Sequence, residues 1–353
     1  MNNRNIVFAA PGRAEIVERP MPTVSDGQVL VRLVRSCISS GTERAQLTGV
    51  PDVAISIFST APDGQVTWPR QVGYSSSGVV EAVGAGVSSV RVGDRVAMSW
   101  STHAQFLALP EEQVYRIPEG VSFEDAALSH IATFPMAAIR KCRLELGESA
   151  LVMGQGILGQ MAVVLLAAAG AAPVMVADPQ PAKREQALRL GADYAFDPLS
   201  PGFAADVASV TGRGRKVVAG RVDDRGANVV IEVTGHGSAL NQALDAVAPF
   251  GRIALLGCSR DSNFTVDYYH KVHGRGVTLV GAHTMARPEK ESSPAAWTTR
   301  DDAESFLRLL SCGRVRLENF VSEVHPVSEA PEVFGRLAAD AAFPVVQFDW
   351  SQV

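Results

Sequence analysis

A basic excess is missing from this chain. Its 32 Lys and Arg face 37 Asp and Glu, a formal charge of −5, so no positive field is available for a polyanion and nucleic acid is not an expected partner. Long apolar runs are missing too. The longest, Met161–Ala169, is bounded by Gly159 and Gly170 and falls short of the roughly 18 residues of a membrane span. The opening MNNRNIVFAAPGRAEIVERP offers one short apolar patch that Pro11 ends, a poor match to a secretion signal, so a cytoplasmic location is expected. Cysteine is scarce: Cys37, Cys142, Cys258 and Cys312 include no CxxC pair. That excludes a cysteine zinc cluster or a disulfide framework, and four reduced thiols, most of them in the core, are expected. Internal repeats and low-complexity segments are absent as well.

What is present describes a globular protein with a sizeable core, since 46% of the 353 residues are hydrophobic and 20% charged. The length suits two domains of about 150 residues each. Up to Pro118 the pattern is short strands punctuated by Gly and Pro, including Val29–Val34, Gly78–Val83 and Arg95–Met98, as in a β-rich domain. From Ser149 strands and helices alternate. Strands are expected at Ala150–Met153, Val174–Ala177, Tyr194–Phe196, Val229–Val233 and Ile253–Leu256. Helices are expected at Gly159–Ala169, Ala182–Leu190 (ended by Gly191) and Ser238–Ala246. This rhythm predicts right-handed βαβ units and a parallel sheet. Beyond Gly281 come a polar loop, helices at Asp302–Leu310 and Ala330–Ala339, and a strand at Val345–Phe348, which are expected to return to the β-rich domain. The basic, Gly-rich stretch 212–225 reads as a solvated loop.

Gly154-Gln155-Gly156-Ile157-Leu158-Gly159 is a GxGxxG motif that follows a strand and opens a helix. One glycine permits the tight turn, the next lets backbone approach a pyrophosphate, and the third lets helix pack on strand. The helix N-terminus then offers free N–H groups to the phosphates. Asp178, at the end of the second strand, suits a ribose diol and repels a 2′-phosphate, which favours NAD(H) over NADP(H). Its competing reading is a cap on the helix that follows. Lys183 and Arg184 would weakly favour the 2′-phosphate but are expected to face water.

Several further stretches occur in order: Ser40-Gly41-Thr42-Glu43, Gly73-Tyr74-Ser75 with Gly78-Val79-Val80, Val92-Gly93-Asp94-Arg95-Val96, Leu190-Gly191-Ala192-Asp193 and Glu232-Val233-Thr234-Gly235. With the GxGxxG motif, they resemble the medium-chain dehydrogenase/reductase superfamily over essentially the whole chain. The resemblance implies an α/β protein with a central Rossmann domain, a doubly wound parallel sheet, at residues 132–281. A β-rich GroES-like catalytic domain would be built from 1–131 and 282–353. It also implies hydride transfer to or from a nicotinamide, with Val233 and Thr234 along the cofactor and Gly257 near the nicotinamide. The departures are informative. Where zinc alcohol dehydrogenases place a thiolate and an imidazole, this chain has Ser40 and Tyr74, and the third ligand position falls near His130. A catalytic zinc needs about three thiolate, imidazole or carboxylate ligands, so no metal is expected. The segments Ile38–Arg44, Gly73–Ser75, His103–Phe106 and Phe348–Trp350 look most like zinc-less members related to bacteriochlorophyllide dehydrogenase and to oxidoreductases of polysaccharide gene clusters.

Without zinc, the proton on the reacting oxygen must be handled by a side chain. His130 is the favoured acid/base because an imidazole titrates near working pH, with Tyr74 as hydrogen-bond donor. Thr42 matches a relay hydroxyl in the zinc enzymes, and Ser40, Thr42, Tyr74 and Ser75 make a hydroxyl-rich surround suited to a sugar, cyclitol or other hydroxylated small molecule. The plain alternatives are a helix N-terminal or core histidine, a packing tyrosine and a turn hydroxyl, with Glu43 paired to Arg44 or a distant cation. His103 is expected in a loop, His270 and His273 at the surface, and His283 and Trp297 are outside candidates for substrate contact. The leading function is a zinc-independent NAD-dependent alcohol dehydrogenase. A quinone- or enoyl-reductase-like enzyme would prefer NADPH, and a non-catalytic NAD(H) sensor would be indifferent to changes at His130 or Tyr74. A homodimer or homotetramer is expected by resemblance, with Arg252–Leu256 as a strand able to pair across an axis.

Overall fold

The computed structural model describes residues 2–49, 67–211, 216–217, 222–223, 225–259 and 263–353. Most of the expected loop at 212–225 lies outside the described residues. The chain begins with β1 (Asn2–Ala10), β2 (Arg13–Pro20), β3 (Gln28–Cys37) and helix α1 (Ser40–Thr48). Strands β4 (Arg70–Gln71), β5 (Ser75–Val83), β6 (Arg95–Ser99), β7 (Phe106–Pro110) and β8 (Val114–Arg116) follow, then α2 (Phe123–Ala126) and α3 (Ser129–Lys141). The alternating region holds β9 (Ala150–Met153), α4 (Ile157–Ala168), β10 (Val174–Ala177), α5 (Pro181–Arg189), β11 (Tyr194–Phe196) and α6 (Phe203–Val210). It continues through β12 (Lys216–Val217), β13 (Val222–Asp223), β14 (Ala227–Glu232), α7 (Gly237–Ala246), β15 (Val247–Leu255) and β16 (Thr278–Gly281). The tail carries α8 (Thr299–Ser311), β17 (Glu323–Pro326), α9 (Ala330–Ala339) and β18 (Val346–Asp349).

Two compact units result: Met1–Ala132 with Thr299–Val353, and Thr133–Thr298. In the first, the tail returns as expected. β18 pairs antiparallel with β3, setting Phe348 opposite Ser36 and Gln347 opposite Cys37, in a sheet ordered β17-β18-β3-β5-β6-β8. The hairpin β1–β2, which the sequence reading did not anticipate, joins β4 in a second sheet. Phe8 from that hairpin meets Phe334 of α9 edge to face at 4.9 Å, within a core that includes Leu33, Leu47, Met98, Phe348 and Trp350.

The second unit has the strand order β11-β10-β9-β14-β15-β16, all parallel. Strands β9 and β10 are buried at every residue, as sheets covered on both faces require. The order reverses between β9 and β14, the switch point beside which doubly wound sheets bind ligands. The strand Arg252–Leu256 cannot pair across an axis, because β15 is already flanked by β14 and β16. Residues 282–298 belong to this unit rather than to the tail. Lys141 donates to the carbonyls of Gly281 (3.0 Å) and Ala286, and Arg287 donates to the Thr133 carbonyl at 2.9 Å. Arg140 lies over the Trp297 ring at 3.5 Å.

Candidate active site

In the second unit the glycine motif makes a cradle. Gly154 turns the chain at φ +96°, a left-handed conformation that disfavours side chains. A Cβ on Gly159 would stand 1.9 Å from the Gly154 carbonyl oxygen, so helix and turn approach closely only because it is glycine. A Cβ on Gly156 would meet nothing within 4 Å, so open space lies before the α4 N-terminus. Gly156 caps that helix without a side-chain hydrogen bond, leaving the N–H groups of its first turn for an anion. Ile157 and Leu158 begin the helix, while Gln155 is fully buried. The cradle suits a dinucleotide pyrophosphate.

Asp178 is 5% exposed. One carboxylate oxygen accepts from the Gln155 N–H at 2.7 Å and the other from the Gln180 N–H at 2.8 Å. It therefore pins the glycine turn as well as the entry to α5, whose cap is Gln180. A carboxylate has about four lone-pair sites, which leaves acceptor capacity for a ribose diol. Arg184 does not simply face water: it donates to the Asp178 carbonyl at 2.6 Å and to the Pro179 carbonyl at 3.1 Å. At the end of β14, Glu232 accepts from the Thr234 N–H at 2.7 Å and from the Thr234 hydroxyl, and burial raises its pKa. The half-buried Val233 and Thr234 are thereby held in a tight turn. A Cβ on Gly257 would stand 2.4 Å from the Gly235 nitrogen, which brings the turns after β14 and β15 together.

In the first unit Tyr74 and His130 meet. The Tyr74 ring is edge to face with the imidazole at 5.6 Å, and Trp100 covers the same imidazole at 4.5 Å. His130 is wholly buried and Tyr74 is 5% exposed, whereas Trp100 is half-buried. Trp100 adopts φ +56°, a strained conformation for a bulky residue and one that collects at functional sites. The Tyr74 hydroxyl donates to Ser39 Oγ and is also hydrogen-bonded to the Thr42 side chain. Burial pushes this phenol well above its ordinary value; Glu43 adds to the rise, while the Ser39 and Thr42 hydrogen bonds oppose it. Ser40 and Thr42 sit half-buried in the first turn of α1. Ser75 is committed elsewhere, donating to the Ala127 carbonyl at 2.6 Å.

Sequence reasoning missed what lies beneath Tyr74. Glu43, expected to pair with Arg44 or a distant cation, is fully buried, and its Oε1 accepts the Ser39 N–H at 2.7 Å. Its Oε2 lies 3.0 Å from His103 Nε2. His103 lies in the loop between β6 and β7, as expected, but is only 1% exposed, with Nδ1 2.7 Å from Ser36 Oγ, which also accepts from Trp350 Nε1 at 2.8 Å. Arg44 instead binds the carbonyls of Leu337 and Asp340. The available signal was a carboxylate set four residues after the capping position Ser39, where acids suit a helix N-terminus.

The donors near Tyr74 do not suit zinc. Ser40 is a neutral hydroxyl, burial holds Tyr74 as a phenol, and His130 alone cannot hold the ion. Cys37 is buried with its sulfur 3.7 Å from the Val346 carbonyl, and burial raises its pKa far above the ordinary thiol value. Among the described residues no group of three His, Cys, Asp or Glu is placed to bind a metal. Of the other candidates, His270 is exposed beside Asp267, and His283 is half-buried with its pKa lowered by burial and by Lys141. Only Cys37 and Cys142 of the four free thiols are buried; Cys258 is half-buried and Cys312 exposed.

Comparison with known proteins follows the two units. Residues 25–121 match the alcohol dehydrogenase GroES-like domain, and residues 158–298 match the zinc-binding dehydrogenase family. The chain is 26% identical to an L-threonine 3-dehydrogenase of Pyrococcus horikoshii over 78% of its own length and 81% of that protein. It is 23% identical to a D-guloside 3-dehydrogenase of Escherichia coli K12 over 94% and 95% of the two chains. A zinc-binding dehydrogenase structure from Sinorhizobium meliloti 1021, bound to NADP, superposes with a TM-score of 0.78 at 18% identity, covering 99% of each chain.

Proposed function

The chain belongs to the medium-chain dehydrogenase/reductase superfamily, in its zinc-type alcohol dehydrogenase-like branch, and from that premise we propose a zinc-independent, NAD-dependent enzyme. It interconverts a secondary alcohol and a ketone on a hydroxylated substrate such as a sugar or cyclitol. The observation that carries this reading is the donor set: Ser40, Tyr74 and His130 stand at or near the positions where the resemblance expects zinc ligands, with Thr42 hydrogen-bonded to Tyr74, and none is a thiolate or carboxylate. The zinc-binding name attaches to residues 158–298, which include none of these four. Asp178 supports NAD over NADP, since a 2′-phosphate beside its carboxylate would be repelled. The D-guloside 3-dehydrogenase, similar along almost the whole chain, supports a sugar-like substrate.

A nicotinamide dinucleotide would be held by the Gly154–Gly159 turn and Asp178, and would supply the hydride acceptor or donor for the carbinol carbon. The chain must manage the proton. Tyr74, kept protonated by burial, turns its O–H to the substrate oxygen, with Ser39 switching from acceptor to donor, as a hydroxyl can. His130 takes the substrate's hydroxyl proton in oxidation and gives it back in reduction. Thr42 joins the same hydroxyl cluster.

The test is absorbance at 340 nm with NAD+ and with NADP+ over a panel of polyols, cyclitols and sugars, with EDTA throughout. NADH formation that survives EDTA, faster with NAD+, is expected. Activity lost on chelation and restored by Zn2+ would overturn the metal-free reading, and preference for NADP+ would overturn the role of Asp178.

A further inference from the structure

Resting on the reading of Tyr74 as donor to the substrate oxygen, we propose that the buried Glu43–His103 pair is a positioning device that fixes the Tyr74 hydroxyl through Ser39. Six residues, joined by five hydrogen-bonded contacts, form a continuous buried line. Trp350 Nε1 donates to Ser36 Oγ at 2.8 Å, and Ser36 Oγ meets His103 Nδ1 at 2.7 Å. His103 Nε2 meets Glu43 Oε2 at 3.0 Å, and Glu43 Oε1 holds the Ser39 N–H at 2.7 Å. The Ser39 hydroxyl receives the Tyr74 O–H.

Trp is only a donor and a carboxylate only an acceptor, so one assignment satisfies every member. Ser36 passes its own hydrogen to Nδ1, and the ring proton sits on Nε2, facing Glu43. The side chains of both Glu43 and His103 are 0% exposed, and a buried polar network of this kind is rigid only when complete. Two further features tie it to Tyr74. A Cβ on Gly73 would stand 2.8 Å from the His103 ring, so the imidazole occupies the space a side chain just before Tyr74 would fill. The His103 N–H also donates to the Val72 carbonyl at 2.9 Å. The segment Val72–Tyr74 is thus gripped by His103 from below while Ser39 holds the phenol. Neither member of the pair touches the Tyr74 oxygen; the pair acts by holding Ser39 and the backbone around Tyr74, while the Glu43 carboxylate joins burial in keeping the phenol protonated.

The experiment compares His103→Ala, His103→Gln and His103→Asn, in wild type and in Tyr74→Phe, with cofactor affinity and Tm measured alongside kcat. Gln can still donate to Glu43 from near the Nε2 position, whereas Asn reaches only toward Ser36. His103→Ala and His103→Asn are expected to lower kcat roughly 10- to 100-fold, as misplacement of a reacting group by about 1 Å does. NADH affinity should not change. His103→Gln should recover to within about 3-fold, and in the Tyr74→Phe background His103→Ala should add less than about 3-fold, the non-additivity of residues acting through one another. Equal losses for Gln and Asn, or additive losses, would overturn the proposal. Should His103→Ala fail to fold, Ser39→Ala removes only the joint to Tyr74 and should match Tyr74→Phe; wild-type turnover in Ser39→Ala would also overturn it. Wild-type kcat in Tyr74→Phe sinks the donor role and the positioning proposal together. A damaged Tyr74→Phe beside an unaffected Ser39→Ala sinks the positioning alone.

Discussion

In the proposed reaction Tyr74 donates a hydrogen bond while His130 exchanges the proton, and the surroundings of Tyr74 suit its part. Burial pushes the Tyr74 phenol above its usual value near 10; the Ser39 hydrogen bond opposes this, the Glu43 carboxylate adds to the rise, and Thr42 opposes it less than Ser39 does. A phenol raised in this way stays protonated throughout the working range, so it can donate but cannot serve as a base near neutrality. Tyr74→Phe is therefore expected to lower kcat by about 100- to 1,000-fold, the loss on removing one preorganised donor, while leaving the shape of the kcat–pH profile between pH 6 and 10 unchanged. A wild-type limb near pH 10 that disappeared in the variant would show that Tyr74 titrates and would refute the donor role. Trp100 adds a second residue-scale feature, since its left-handed backbone holds an indole against His130.

At the scale of elements, the β9–α4 turn is the proposed cofactor cradle, and its glycines do different work. Gly159 is a packing glycine: a Cβ there collides with the Gly154 carbonyl at 1.9 Å, and backbone has to shift. Gly156 faces open space, so a methyl group is tolerated by the fold and intrudes only on what approaches the α4 N-terminus. Gly159→Ala should lower stability by about 1–3 kcal/mol, the range for overpacking, and weaken NADH binding as a consequence. Gly156→Ala should keep its Tm while losing NADH affinity by about 10-fold or more. Calorimetry together with fluorescence titration of NADH separates the two, and a Gly156→Ala protein with undiminished affinity would place the pyrophosphate elsewhere. Helix α1 is the corresponding element of the first unit. Its first turn carries Ser40, Thr42 and Glu43, the last reaching back to the Ser39 N–H.

For the whole molecule, each unit contributes a separate requirement: a dinucleotide cradle in one, and a buried hydroxyl–imidazole cluster in the other. Ligand linkage gives a test that needs no substrate. NADH at about 100 times its Kd should stabilise the protein by about 2.7 kcal/mol, a rise of several degrees in Tm for a protein of this size. NADPH at the same concentration should give a smaller rise, because Asp178 meets its 2′-phosphate, and Asp178→Ser should narrow the gap. Equal shifts with the two nucleotides in the wild type would count against Asp178 as the discriminator. No described helix is long and apolar enough to cross a membrane.

The sequence by itself determined the parallel sheet and its cradle. Ala150–Met153, Val174–Ala177 and Tyr194–Phe196 were readable to the residue, and Gly191 takes the positive φ of a helix end. Such features depend on neighbours within a few positions, where periodicity and backbone sterics act directly. The sequence also marked Tyr74 and His130 as candidates, through motifs that depart from the zinc pattern. Only the tertiary structure decided that Glu43 meets His103 sixty positions away, that Arg184 turns back to the Asp178 carbonyl, that Ser75 is spent on Ala127, and that residues 282–298 pack with the second unit. A buried polar group takes whichever partner the topology brings within reach, since leaving it unpaired costs about 1–3 kcal/mol. That partner is set by how the β6–β7 loop and α1 are brought together, and nothing local to Glu43 or His103 records it.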